Sequence, residues 1–205
     1  MNTLLYLQSS IYSDAGASST LARAFVDQWR ADRPNARVIE RDLARHPLPH
    51  LDAERFGAFI APVDARTPAQ QAIVDESDRL IEELRQADTL VLGLPLYNFG
   101  VPSTLKAYFD HVARAGVTFR YTQNGSVGLL AGKEAYVFAT RGGVYHGADV
   151  QPQYVRNFLN FLGIEPVRFV FAEGLALGED TKEQSLAQAR LAIAGLSSPA
   201  ELRAA

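Results

Sequence analysis

The sequence predicts a doubly wound α/β domain: a five-stranded parallel sheet in the order 2-1-3-4-5, with helices on both faces. Two observations predict it. Short apolar runs alternate with helical apolar stripes along the chain. The 205 residues, 47% of them hydrophobic, allow one large domain with a sizeable core but not two full domains. The expected division is a single domain over 1–196 with a loose tail over 197–205.

The elements follow in order. Thr3 to Gln8 is a short apolar strand. Ser18 to Ala31 is a helix with Leu21, Phe25 and Trp29 on one face. Val38 to Arg41 is a second, weaker strand. Thr67, Pro68 and Gln70 open the next helix as a capping box with proline at its first position, and its face carries Ile73, Ser77, Leu80, Ile81 and Leu84. The third strand begins at Thr89 and stops at Pro95. Pro102 opens a helix with Leu105, Tyr108, Phe109 and Val112. Ala135 to Thr140 is the fourth strand. Val155, Phe158, Leu159 and Leu162 stripe a helix, with Tyr154 and Phe161 together on its flank. Val167 to Phe171 is the fifth strand, and Asp180 to Gly195 is the last helix. Two long connections interrupt this rhythm, Leu43 to Arg66 and Gly116 to Lys133. The second reads as a hairpin turned at Asn124-Gly125. Loops this long in a compact domain are usually functional or form an interface.

Composition removes several classes of function. The net charge is −3 and there is no basic run, which disfavours nucleic acid. There are no cysteines, so disulfides, thiolate metal sites and Cys nucleophiles are excluded. The opening MNTLLYLQSS lacks a basic n-region, and no window approaches a membrane span, so a cytoplasmic protein is expected. No internal repeat or low-complexity segment occurs.

The stretch Thr89–Asp110 carries the most information. Strand, loop, helix is the geometry in which open α/β sheets bind ligands at the strands' carboxyl ends. The loop Leu96-Tyr97-Asn98-Phe99-Gly100 holds two aromatics and an Asn where small turn residues are usual, which suits a flat, hydrogen-bonding ligand. After the first strand comes a hydroxyl-rich loop, Ser9 to Thr20, entering a helix with no acid before Asp27. Free N–H groups at such a helix start can hold a phosphate without Lys or Arg; from this loop alone, a plain Ser N-cap is the simpler account. Neither G-x-G-x-x-G nor G-x-x-x-x-G-K-[ST] is present, which favours a monophosphate. After the fourth strand, Thr140-Arg141-Gly142-Gly143 allows close approach of backbone to a ligand, or is a simple turn. All three loops converge on one sheet edge. Of the histidines, His46 and His50 are separated by prolines and make a poor metal pair, His111 reads as a surface or interface residue, and His146 adjoins the double glycine. A G-x-S-x-G elbow is absent, which disfavours a serine hydrolase.

With these loops in hand, the chain resembles the bacterial FMN-dependent NADH azoreductases and, more distantly, the NAD(P)H quinone reductases, from Leu4 to about Gly178. The resemblance rests on PLYNF at Pro95–Phe99, FDHVARAGVTFRYT at Phe109–Thr122, TRGG at Thr140 and FVFAEG at Phe169. It implies a flavodoxin-like fold, a homodimer and one non-covalent FMN per subunit, with NADH or NADPH as donor and quinones and azo compounds as acceptors. Ser10, Gly16, Ala17 and Ser18 would hold the phosphate and ribityl chain. Leu96, Tyr97, Asn98 and Phe99 would line the isoalloxazine, and Thr140, Arg141, Gly142 and Gly143 would close its other edge. Tyr121, Tyr145, His146 and Phe161 would line the acceptor pocket, Phe161 reaching that of the other subunit. The resemblance implies ping-pong hydride transfer through FMN N5, with no catalytic side chain and no metal. Two departures stand out: Gly16-Ala17-Ser18 where the family often has Ser-x-Ser, and Ile60 where an Arg sometimes stands. The competing readings are a flavodoxin-type electron carrier without its own substrate and a non-flavin, phosphate-binding α/β hydrolase.

Overall fold

The computed structural model describes residues 2–146 and 148–196; the expected tail over 197–205 lies outside them. Five strands, β1 (Thr3–Gln8), β2 (Arg37–Asp42), β3 (Thr89–Pro95), β6 (Lys133–Thr140) and β7 (Ile164–Ala172), form one parallel sheet in the order β2-β1-β3-β6-β7. Numbered among themselves, that is the expected 2-1-3-4-5. A separate antiparallel hairpin joins β4 (Phe119–Thr122) to β5 (Gly125–Gly128). The helices are α1 (Ala17–Ala31), α2 (Ala53–Ile60), α3 (Pro68–Gln86), α4 (Ser103–Val112), α5 (Gln151–Leu162) and α6 (Glu179–Leu196).

The sheet is covered on both faces, so its strands are apolar on both, and alternate residues feed two cores. Leu5, Leu7, Leu90 and Leu92 face α3, α4 and α5, meeting Leu80, Ile81, Leu105, Phe109, Val155 and Leu159. Leu4, Tyr6, Val91 and Phe138 face α1 and α6, meeting Leu21, Phe25, Trp29 and Ile193. Gly93 lets α1 lie close to β3, because a Cβ there would stand 3.3 Å from the Ser18 carbonyl. This contact holds the start of α1 beside the carboxyl ends of β1 and β3.

The capping box of α3 forms: Thr67 Oγ1 accepts from Gln70 N–H and Gln70 Oε1 from Thr67 N–H. Along its face Val74 is buried, whereas Ile73 is only half-buried. Three expectations are corrected. The connection over 43–66 contains α2, because Asp52 caps it by accepting from Arg55 N–H and its prolines lie outside the helix. The hairpin turns on Gln123-Asn124, one residue earlier than expected. Thr122 pairs with Gly125, and Gly125 rather than a central turn residue takes the positive φ. His111 is not on the surface. It is fully buried, donating from Nδ1 to the Ala107 carbonyl and receiving the Arg55 guanidinium at Nε2, 3.3 Å away. Arg55 also pairs with Glu76, so this histidine ties α2 and α3 to α4.

Candidate cofactor site

The loop after β1 ends at Gly16, which caps α1 without a side chain, and no acid occupies the first turn. The orphan N–H groups at that end are therefore not matched by a capping oxygen. The hydroxyls of Ser18 and Ser19 are buried there without a hydrogen-bond partner among the described residues. Gly16 is tight against Ser10: a Cβ at Gly16 would collide with Ser10 Oγ. Tyr6 fixes the first turn from below, its hydroxyl donating to the Ser19 carbonyl at 2.8 Å. Burial holds that hydroxyl protonated well above the usual tyrosine range. Of the nearby acids, Asp14 is offset by Arg45 at 3.0 Å and Arg23 at 3.9 Å, and Asp42 by Arg45 at 3.4 Å.

The loop after β3 folds into a tight turn. Tyr97 and Gly100 exchange both backbone hydrogen bonds, at 3.3 and 3.0 Å, around Asn98 and Phe99 with φ of 49° and 64°. Both central residues are thus left-handed. Asn tolerates this; Phe does so only under constraint, and such strain gathers at functional sites. The Phe99 ring is 69% exposed at the crest. The Tyr97 hydroxyl returns toward the first loop, 3.3 Å from Ser10 Oγ and 3.4 Å from Ile11 N.

The loop after β6 continues the ladder beyond the strand. Carbonyls of Arg141, Gly142 and Gly143 accept from the N–H groups of Leu175, Ala176 and Gly174. Leu96 N–H donates to the Thr140 carbonyl, fastening this loop to the previous one. Tyr145 meets the Phe99 ring edge-on at 6.2 Å. His146 is exposed at the crest with φ of 49°. The Arg141 guanidinium points inward, forked onto Asp149 at 2.9 and 3.1 Å. Its Nη1 is buried without a hydrogen-bond partner among the described residues.

Ser10, the Gly16–Ser18 run, the Leu96–Phe99 turn and the Thr140–His146 loop are therefore brought together at the carboxyl edge. Tyr121 and Phe161 are not. Phe161 lies well beyond the start of α5, near its far end. At the helical rise per residue that places it about 15 Å down the axis. Its ring packs on Phe119 at 4.3 Å, and Tyr121 meets Phe119 edge-on at 5.4 Å. Tyr154 remains on the flank, its ring 6.2 Å from Phe109. An apolar hollow of about 560 Å³ adjoins the turn, lined by His50, Phe99, Val101, Lys106, Val150 and Tyr154. A second, of about 570 Å³, is lined by Leu51, Phe56, Phe59, Ile60, Phe119 and Tyr121. Sequence reading missed Asp149, Gln151 and Glu173, whose only signal is polarity beside the TRGG loop and at the end of the last strand.

An FMN group fits these residues on two counts. Uncommitted N–H groups and unpartnered buried serines offer a phosphate its donors without a cation. The aromatic turn beside them offers a planar ring both stacking surface and main-chain donors. Fold and site thus define a doubly wound protein built to take a phosphate-bearing, flat ligand at its switch point.

The model of the family described as "Flavodoxin-like fold" matches residues 2–196, and the chain belongs to that family. An FMN-dependent NADH:quinone oxidoreductase of Cellvibrio japonicus is 52% identical over 192 residues, which span 93% of this chain and 96% of that relative. One from Alcanivorax borkumensis is 51% identical over 189 residues, 91% of this chain and 96% of that protein. Among solved structures, an FMN-dependent NADH-azoreductase of Bacillus anthracis in complex with FMN superposes with a TM-score of 0.84 at 27% identity, covering 97% of this chain and all 100% of that one.

Proposed function

We propose that this protein is an FMN-dependent NADH:quinone oxidoreductase that also reduces azo compounds, acting as a cytoplasmic homodimer. The observation that carries this reading is the junction of an uncapped helix start, holding two unpartnered serines, with a strained aromatic turn. The names of relatives about half identical to this chain support it, and favour it over a bare electron carrier.

When bound, FMN supplies two-electron transfer from NADH to a quinone or an azo compound. Ser10 and the N–H groups of Ala17 and Ser18 hold the phosphate end. Leu96–Phe99 line one edge of the ring system, and the main chain of Thr140–Gly143 closes the other. The turn's own hydrogen bonds use Tyr97 N and Gly100 N, leaving Asn98 and Phe99 N–H as donors to charge that develops on the ring. Tyr145 and His146 border the acceptor side.

The dimer is supported by an exposed apolar patch around the second hollow, where Phe56, Ile60 and Tyr121 all stand in the open. It also accounts for Tyr121 and Phe161 standing away from the loops of their own chain: in a shared site they serve the partner. The cytoplasm follows from the need for NADH. Among the described residues no helix is long and apolar enough to cross a membrane.

The test is a visible spectrum of the purified protein, flavin release on acid treatment, and NADH oxidation with a quinone. Yellow protein releasing FMN, with quinone-dependent turnover, is expected. Recovery of FAD, or no flavin after reconstitution, overturns the reading; flavin without turnover returns the electron carrier.

A further inference from the structure

Arg141 is 1% exposed, among the largest fully buried side chains. A buried guanidinium is rarely a net source of stability, since its desolvation offsets most of what its partners return. Its retention asks for another reason, and its contacts supply one.

The buried carboxylate of Asp149 accepts the Arg141 fork, and its Oδ1 also accepts from Gln151 N–H at 3.1 Å. Gln151 opens α5 and is 1% exposed. Its Nε2 donates to two carbonyls, Pro95 O at 3.0 Å and Gly100 O at 2.8 Å. These are the residues that bound the Leu96–Phe99 loop, so one amide spans its mouth. On the other side Glu173, just past the end of β7, approaches Arg141 Nε with Oε1 at 3.6 Å. Its Oε2 accepts from the N–H groups of Tyr145 and His146, each at 3.3 Å. His146, Asn98 and Phe99 are three of the four non-glycine residues with positive φ among the described residues. Such conformations persist only where their surroundings over-determine them. His146 takes a bond from this network directly, and Asn98 and Phe99 sit in the turn that its amide closes.

We propose that Gln151, set by the Asp149–Arg141–Glu173 cluster, is a positioning residue that holds the Leu96–Gly100 turn at a fixed spacing from the Arg141–His146 loop, and so sets the slot for the isoalloxazine. This rests on the flavin reading above. It assigns the buried ion network to ligand geometry, and gives Arg141 a role through its side chain that is indirect. Among the described residues Asp149 and Gln151 make no direct hydrogen bond to the phosphate cradle, so their influence falls first on the ring end of the ligand and reaches the phosphate end only through Tyr97.

The test is titration of apoprotein with FMN and with riboflavin, which has the ring but no phosphate, followed by quenching of flavin fluorescence. Gln151→Met keeps length and bulk but removes both donors. The expected result is that its Kd rises about tenfold for FMN and by the same factor for riboflavin, while the melting temperature of the apoprotein stays within a few degrees of wild type. Unchanged affinity for both ligands overturns the proposal, as does a change for FMN alone, which would locate the effect at the phosphate. Where Gln151→Met does not fold, Glu173→Gln decides: a rise of about threefold for both ligands supports the clamp and wild-type affinity overturns it. Wild-type apoprotein that binds neither flavin overturns the parent reading and the clamp together, whereas wild type that binds FMN beside an unaffected variant sinks the clamp alone.

Discussion

The Tyr97 hydroxyl stands 3.3 Å from the hydroxyl of Ser10, joining two loops that are 87 residues apart in sequence. It also lies 3.4 Å from Ile11 N. On the proposed reading, the ring that would flank the flat end of the ligand therefore also orients a serine at its phosphate end.

Tyr97→Phe should break this link without unfolding either loop, because the Tyr97–Gly100 turn is closed by the backbone. One neutral hydrogen bond is worth about 0.5–1.5 kcal/mol. The expected outcome is an FMN Kd raised about threefold to tenfold, read by fluorescence titration; affinity equal to wild type would remove Tyr97 from the phosphate end.

Ser18→Asp sets a carboxylate against the phosphate at the start of α1. At contact distance and an effective dielectric near 20 the repulsion is about 4 kcal/mol, so FMN affinity should fall at least about a hundredfold. Riboflavin affinity should change far less. Wild-type binding of FMN by this variant would show that the phosphate sits elsewhere.

Kinetics should be ping-pong. On the proposed reading, nicotinamide and quinone would take turns on a single face of the ring. Double-reciprocal plots against NADH at several quinone concentrations should be parallel, and intersecting lines would require a ternary complex.

Phe161→Ala addresses the shared site. Its ring packs on Phe119 at 4.3 Å. The substitution should lower stability by about 1–3 kcal/mol, less than the removal of a fully buried aromatic ring costs, because Phe161 is only half-buried. It should also move acceptor KM or preference more than FMN content. A fully active wild-type monomer in analytical ultracentrifugation at assay concentrations would refute the shared-site arrangement.

What could be read from sequence was local. Thr67, Pro68 and Gln70 announce α3 because a capping box spans four residues. The strands were legible because burial on both faces makes each a short apolar run. Asp52 announces α2 just as locally, but the prolines at 47, 49 and 62 around it disguise the helix between them. His111 shows the opposite difficulty: nothing in α4 reveals that Arg55, 56 residues earlier, covers it. Gln151 is harder still, since its two acceptors are main-chain carbonyls that carry no side-chain signature. The Asn124-Gly125 pair misled because a favourable turn dipeptide does not fix register; the pairing of Thr122 with Gly125 does.

The proposed site's contributors run from Ser10 to Glu173, across every crossover of the sheet. A chain made from its N-terminus has no slot to offer until its last strand has docked on β6. On the proposed reading, the complete slot would then be offered to the cofactor only by a finished fold. The cofactor's binding energy would add to the stability of the native state by mass action, in proportion to the free cofactor present.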